Sequence, residues 1–243
     1  SDCFSLRDFL KLLFDIPDDK VEDFLKNKNY NLNLNIEKSV EEAKIPKTFD
    51  IKMLGNLLPH YDFYIERGVD VNILKSLRCG LATDGKLAKR LVFPILNSKN
   101  ELIGFSGRDV TGEKQIKWKH VAGHPRNTWV YPAFLNSKYI KERNKVIIVE
   151  SIGNAIALMT AGFNNVLVSF GTDCSLGIIN FLLKLNIGSI IISTDNDESG
   201  VGAAAAIKMK NRIDRYFDPY VSRIIHVSGA KDWGELLQKE GKV

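Results

Sequence analysis

Within a span of four residues, Asp195-Asn196-Asp197-Glu198, the chain places three carboxylates. Carboxylates this close repel one another at neutral pH unless a cation lies between them. The first chemistry the segment suggests is therefore coordination of a hard metal ion by oxygen ligands. A second reading competes with it. Gly200 and an alanine-rich stretch follow directly, and Asp and Glu are also favoured at the start of a helix, where exposed amides and the dipole welcome negative charge.

The elements around the carboxylates decide between the two. Ile190-Ile191-Ile192 is β-branched throughout and too short for a membrane, so it reads as a buried strand ending at the acidic cluster. Val146 to Val149 is a similar run ending in Glu150, Val166 to Phe170 is another, and Arg223 to Val227 is a fourth. Between and after them, 154–161, 175–185, 201–215 and 232–239 have helical character. Apolar runs alternating with helices predict a parallel sheet covered on both faces. In such sheets ligands sit at the carboxyl ends of the strands, which is where Glu150, Asp195, Asp197 and Asp232 all fall. Four acids from three strands at one edge are hard to explain as helix capping, so the metal reading prevails.

The upstream part has a different character. Residues 4–14 read as an amphipathic helix, a second short helix runs to Phe24, and 27–35 is a strand or an extended linker. Helices are expected up to Gly68 and over 71–77. Arg90 to Ile95 and Leu102 to Arg108, separated by the turn residues Asn97-Ser98-Lys99-Asn100, predict an antiparallel hairpin. Lys117, Lys119, His120 and Arg126 then mix with Trp118 and Trp129, the tryptophans reading as core. Residues 51–149 carry 17 Lys and Arg against 8 Asp and Glu, whereas 1–50 carry 8 against 11 and 150–243 carry 9 against 10. A basic middle beside a near-neutral part holding the carboxylates suggests a polyanion resting on one half and chemistry on the other. Cations interleaved with aromatics suit single-stranded nucleic acid; a solvated lysine-rich face is the competing reading.

Composition sets the outer bounds. The 243 residues are 44% hydrophobic and 26% charged, an ordinary globular balance. No apolar run approaches a membrane span, and the first residues do not form a signal peptide. Cys3, Cys79 and Cys174 lie too far apart for a zinc pair and read as reduced intracellular thiols.

These motifs, taken in order, are similar to a known family. A strand followed by Glu150-x-x-Gly153, then Ser169-Phe170-Gly171-Thr172, then Asp195-x-Asp197-x-x-Gly200, then Lys231-Asp232, resembles a Toprim domain, specifically that of DnaG-type bacterial and phage primases. Upstream, Arg90-Leu-Val-Phe-Pro-Ile95, Ile103-Gly-Phe-Ser-Gly-Arg108 and the following lysines resemble the basic subdomain of the primase RNA-polymerase core. The resemblance covers roughly residues 60–240. It implies an α/β protein in three parts: N-terminal helices and linker over 1–43, a mixed basic template-binding subdomain over 44–143, and a Toprim catalytic domain over 144–243. Ser5 to Leu13 resembles the helix that follows the family's zinc-binding module. The chain is thus expected to be a fragment lacking that module, with no zinc of its own, and lacking the downstream helicase or helicase-binding region.

The activity implied is that of a DNA-directed RNA polymerase. It would make short RNA primers on single-stranded DNA from ribonucleoside triphosphates, leaving an RNA–DNA hybrid, in the cytoplasm of a bacterium or of a phage-infected host. Asp195, Asp197 and Asp232 would hold Mg²⁺ or Mn²⁺, with Glu150 a further ligand or a general base. Lys89, Arg90, Arg108, Lys117, Lys119 and Arg126 are the candidates for template and nucleotide phosphates, Arg108 foremost because two glycines let a strand approach it. A replicative helicase, fused or bound, would be the partner of the longer protein. Two positions depart from the family pattern: Asn154 stands where an Asp is usual, and Gly234 where a second acid is frequent. Glu198 or Glu235 could compensate. A Toprim nuclease and a catalytically weakened DNA-binding module remain as alternatives.

Overall fold

Short turns join antiparallel strands and helical crossovers join parallel ones, and the chain uses each in a separate sheet. The protein is seen in a computed structural model that describes residues 46–113, 115–196 and 200–241. The helices expected near 4–14 and up to Phe24, the segment 27–35, and Asp197 and Glu198 lie outside the described residues.

Two short helices, α1 (Asp62–Ile65) and α2 (Val71–Ser76), precede a sheet of four antiparallel strands: β1 (Gly80–Ala82), β2 (Arg90–Leu96), β3 (Leu102–Asp109) and β4 (Trp118–Ala122). The expected hairpin is β2–β3, and its turn is built by Asn97, whose Oδ1 accepts from the Lys99 and Glu101 amides at 2.9 and 3.0 Å. Every residue of β2 is buried, because both faces of the strand are covered. Leu91, Phe93 and Ile95 enter the core shared with the second half, while Val92 and Leu96 join Leu102 and Phe105 on the other side. At Gly104 a side chain would run into the Trp129 indole, so the missing Cβ lets that ring close on β3.

Then follow α3 (Ala133–Arg143), β5 (Lys145–Val149), α4 (Ile152–Thr160), β6 (Val166–Val168), α5 (Leu176–Leu185), β7 (Ser189–Ile192), α6 (Val201–Ile213), β8 (Ser222–Ile224) and α7 (Trp233–Glu240). The strands pair in parallel in the order β6-β5-β7-β8. Side chains alternate across the sheet. Ile147, Val149, Val166 and Val168 pack with α4 and Leu237 of α7, whereas Val146, Ile148, Leu167, Ile190 and Ile192 pack with α3, α5 and α6. This is the sheet with helices on both faces that the apolar rhythm predicts. Ser151, Ser175 and Asp232 cap α4, α5 and α7 through their side chains. Strand β4 and helix α3 were not expected from the sequence. No helix among the described residues is long and apolar enough to cross a membrane.

Candidate active site

Glu150 directly follows β5, and Asp195 lies three residues beyond β7. The neighbouring parallel strands bring them together: the Asp195 N–H donates to Glu150 Oε1 at 3.4 Å. On its other side Asp195 Oδ1 accepts from Asn154 Nδ2 at 2.7 Å, and Asn154 Oδ1 accepts from the Gly234 amide at 3.4 Å. Helix α6 begins against the same segment. A Cβ at Gly202 would collide with the Asp195 carbonyl oxygen, and the Gly202 carbonyl accepts from Thr194 Oγ1 at 2.7 Å.

The loop entering α7 completes this wall. Asp232 Oδ1 accepts from the Glu235 amide at 2.8 Å, and Glu235 Oε2 accepts in return from the Lys231 amide at 2.8 Å, a reciprocal cap one residue wider than the usual box. Glu235 Oε1 also lies 2.7 Å from Lys239 Nζ. The bond from Lys239, then the Lys231 amide, holds the Glu235 carboxyl below its ordinary value. Glu235 is thus engaged in capping, which does not suit the substitute-ligand role considered for it. Asp232 and Glu235 both line the same cleft as Glu150 and Asp195.

The cleft measures about 530 Å³ and is lined as well by residues of α1 and the antiparallel sheet. Arg108 stands there with its guanidinium carbon 5.5 Å from the Phe63 ring and 5.6 Å from the Trp118 ring, an arrangement that holds a cation by two aromatic faces. Lys117 lines the cleft beside it. So do Ser106 and His120, which face each other across β3 and β4; neither Ser106 Oγ nor His120 Nδ1 has a hydrogen-bond partner among the described residues. Trp118, expected in the core, is only half-buried and belongs to this wall, whereas Trp129 is fully buried.

The other predicted cations fall elsewhere. Arg90 is 5% exposed and spends its guanidinium on the carbonyls of Gly107, Ile116 and Lys117 at 2.8–3.3 Å. It locks the β3–β4 connection and is a structural clamp, so its assignment to phosphate contact is corrected. Lys119 alternates with Trp118 and His120 and lies on the face that carries Val121, away from the cleft. Lys89 and Arg126 are exposed and do not line the cleft. Arg67, which the sequence reading passed over, does line it, stacked 3.7 Å from the Phe63 ring centroid. Nothing in the residues beside it marks it for that place.

Among the described residues no three His, Cys, Asp or Glu side chains converge closely enough to hold a metal ion by themselves. Adjacent oxygen donors at Glu150 and Asp195, opening into a cleft that cations also line, nevertheless suit Mg²⁺, which binds one or two carboxylates and completes its shell with water and substrate phosphate.

Two family models match the chain in succession. Residues 19–124 match the N-terminal domain of the DNA primase catalytic core, and residues 147–237 match a Toprim-like domain. A DNA primase of Borreliella burgdorferi is 27% identical over 191 residues, covering 76% of this chain and 36% of that protein. A DNA primase of Campylobacter jejuni is 29% identical over 159 residues, covering 62% of this chain and 24% of that protein. The chain therefore spans about a third or less of the length of these relatives. Among solved structures, the RNA polymerase domain of Mycobacterium tuberculosis primase DnaG superposes with a TM-score of 0.62 at 20% identity, covering 75% of this chain and 72% of that one. A DnaG primase catalytic domain bound to single-stranded DNA superposes with a TM-score of 0.65 at 18% identity, covering 78% and 73%. The fold is that of these catalytic cores.

Proposed function

The chain belongs to the DnaG-type primase family, and from that premise we propose that its cleft is the reaction centre of an RNA-polymerase core that builds short RNA primers on single-stranded DNA from ribonucleoside triphosphates. One observation carries this reading: Glu150 and Asp195 line the same cleft as Arg108 and Lys117. Nucleotidyl transfer needs positioning and charge compensation more than covalent help from the protein.

Glu150, Asp195 and Asp232 are the ligands we assign to Mg²⁺ or Mn²⁺, with Asp197 a fourth candidate. The ion supplies charge neutralisation at the phosphates and lowers the pKa of an attacking hydroxyl when bound. Arg108 and Lys117 bind phosphate oxygens of the nucleotide or the template, and the rings beside Arg108 limit its freedom to turn away. Arg67 extends this cationic wall. Glu150 is the alternative acceptor for the proton of the attacking hydroxyl. Lys89, Lys119 and Arg126 would serve only nucleic acid lying outside the cleft. The setting is the cytoplasm of a bacterium or an infected host. A replicative helicase, fused or bound, is the partner this reading implies.

The test is incorporation of labelled ribonucleotides on a single-stranded template by this protein. Asp195→Ala should abolish incorporation while leaving template binding near wild type. Incorporation that survives this change removes the metal assignment, and cleavage of labelled DNA in place of synthesis turns the reading to a nuclease.

A further inference from the structure

Asn154 is 2% exposed and stands where α4, the end of β7 and the entry to α7 meet. Both ends of its amide are used. A backbone N–H can only donate and a carboxylate can only accept, so a single orientation satisfies both neighbours. The oxygen faces the Gly234 amide at 3.4 Å, and the nitrogen donates to Asp195 Oδ1 at 2.7 Å. Oxygen and nitrogen lie on opposite sides of the amide, so the Asn154 oxygen points away from the carboxylate it serves.

We propose that Asn154 is a positioning residue, a neutral clamp that fixes the Asp195 carboxylate beside Glu150 without help from a cation. The proposal rests on the reading of this cleft as a metal-dependent reaction centre. A carboxylate at position 154 would still accept from the Gly234 amide but could not donate to Asp195. It would set two like charges at hydrogen-bond distance, and a cation would then be needed to hold them together. Asn154 thus separates two tasks that a third carboxylate would combine: it orders the ligand, and it leaves the charge of the site lower. The order is built into the protein before the cation binds, and the lower charge weakens the cation's hold.

Exchanging donor and acceptor tests this. Asn154→Asp, Asp195→Asn and the double variant are compared by thermal unfolding in EDTA and by Mn²⁺ titration, following the free-ion signal in electron paramagnetic resonance. In EDTA, Asn154→Asp should lower Tm by about 5 °C. Asp195→Asn keeps its acceptor oxygen and should stay near wild type. The double variant, in which the new amide donates to the new carboxylate, should recover the Tm lost by Asn154→Asp. In the titration, Asn154→Asp should bind Mn²⁺ about tenfold more tightly than wild type, and Asp195→Asn should lose most of the binding. A wild-type Tm for Asn154→Asp in EDTA, or no recovery in the double variant, overturns the clamp while Mn²⁺ binding by wild type leaves the metal centre standing. Absence of Mn²⁺ binding in every variant removes the metal centre and the positioning role with it.

Discussion

Trp233 Nε1 donates to Ser193 Oγ at 2.9 Å, tying the first turn of α7 to the tip of β7. A second tie lies beside it, from the Asn196 amide to the Lys231 carbonyl at 2.7 Å. Ser193 and Asn196 bracket Asp195, and Lys231 and Trp233 bracket Asp232. The two carboxylates are therefore held by their chain neighbours along the same cleft.

Replacing Trp233 by Phe keeps most of the ring packing and removes only the donor. Ser193 is 1% exposed, so its hydroxyl would lose a partner that water cannot readily replace. The expected cost is about 1–2 kcal/mol, or a fall in Tm of roughly 2–8 °C for a chain of this size, read from a thermal melt. Primer synthesis should fall by more than that stability loss explains, because Asp232 shifts relative to Asp195; a displacement near 1 Å can cost about a hundredfold. Synthesis at the wild-type rate per folded molecule would show that this tie does not set the carboxylate spacing.

Arg90 and Arg108 share one hairpin and should respond in opposite ways. Arg90→Met leaves three backbone carbonyls without their cationic donor, so about 3 kcal/mol of stability should be lost in urea unfolding, with the salt dependence of DNA binding unchanged. Arg108→Ala should cost less than about 1 kcal/mol of stability, since its ring contacts are its described interactions. The slope of log K against log salt for single-stranded DNA should fall by about 0.7, the share of one phosphate contact. A slope change in the Arg90 variant would return that residue to the groove.

The contrast between these two arginines also marks where sequence reading stops. Ile190–Ile192 and Val146–Val149 announce strands because β-branched runs of that length fit a sheet buried on both faces, and the strand-end rule then brings Glu150, Asp195 and Asp232 to one edge. That much needs only local chemistry and topology. Whether a cation faces the cleft depends on register and pleat. Arg108 does, Lys117 reaches it from the connection before β4, Lys119 is turned away with Val121, and Arg90 is buried under the β3–β4 connection. Strand β4 was hidden because its lysine and histidine mask the period-two pattern of a sheet covered on one side. Helix α3 was hidden because its apolar residues, Phe134, Leu135, Tyr139 and Ile140, do not gather into one stripe. Arg67 entered the cleft through the packing of α1, which nothing in its neighbouring residues specifies.

His120 carries the last expectation, on pH. Its ring lies edge-on to Trp129 and Phe170 with centroids 6.0 and 5.7 Å away, and Nδ1 has no hydrogen-bond partner among the described residues. Burial, and then the charge of Arg126, hold its pKa below the ordinary 6.5. The native state therefore keeps the ring neutral where the unfolded chain already binds a proton. The resulting stability is fully present above about pH 6.5 and is lost as pH falls from there through the lower native value, levelling off beneath it. Tm should accordingly decline on acidification across that window, and His120→Gln should flatten the decline. Arg126→Ala should flatten it in part, since it removes the smaller of the two causes. The direct measurement is the ring C–H resonance followed by NMR across the same range. A midpoint at or above 6.5 would mean that water or a partner reaches the ring and that the wall between Trp129 and Phe170 is wetter than its packing indicates.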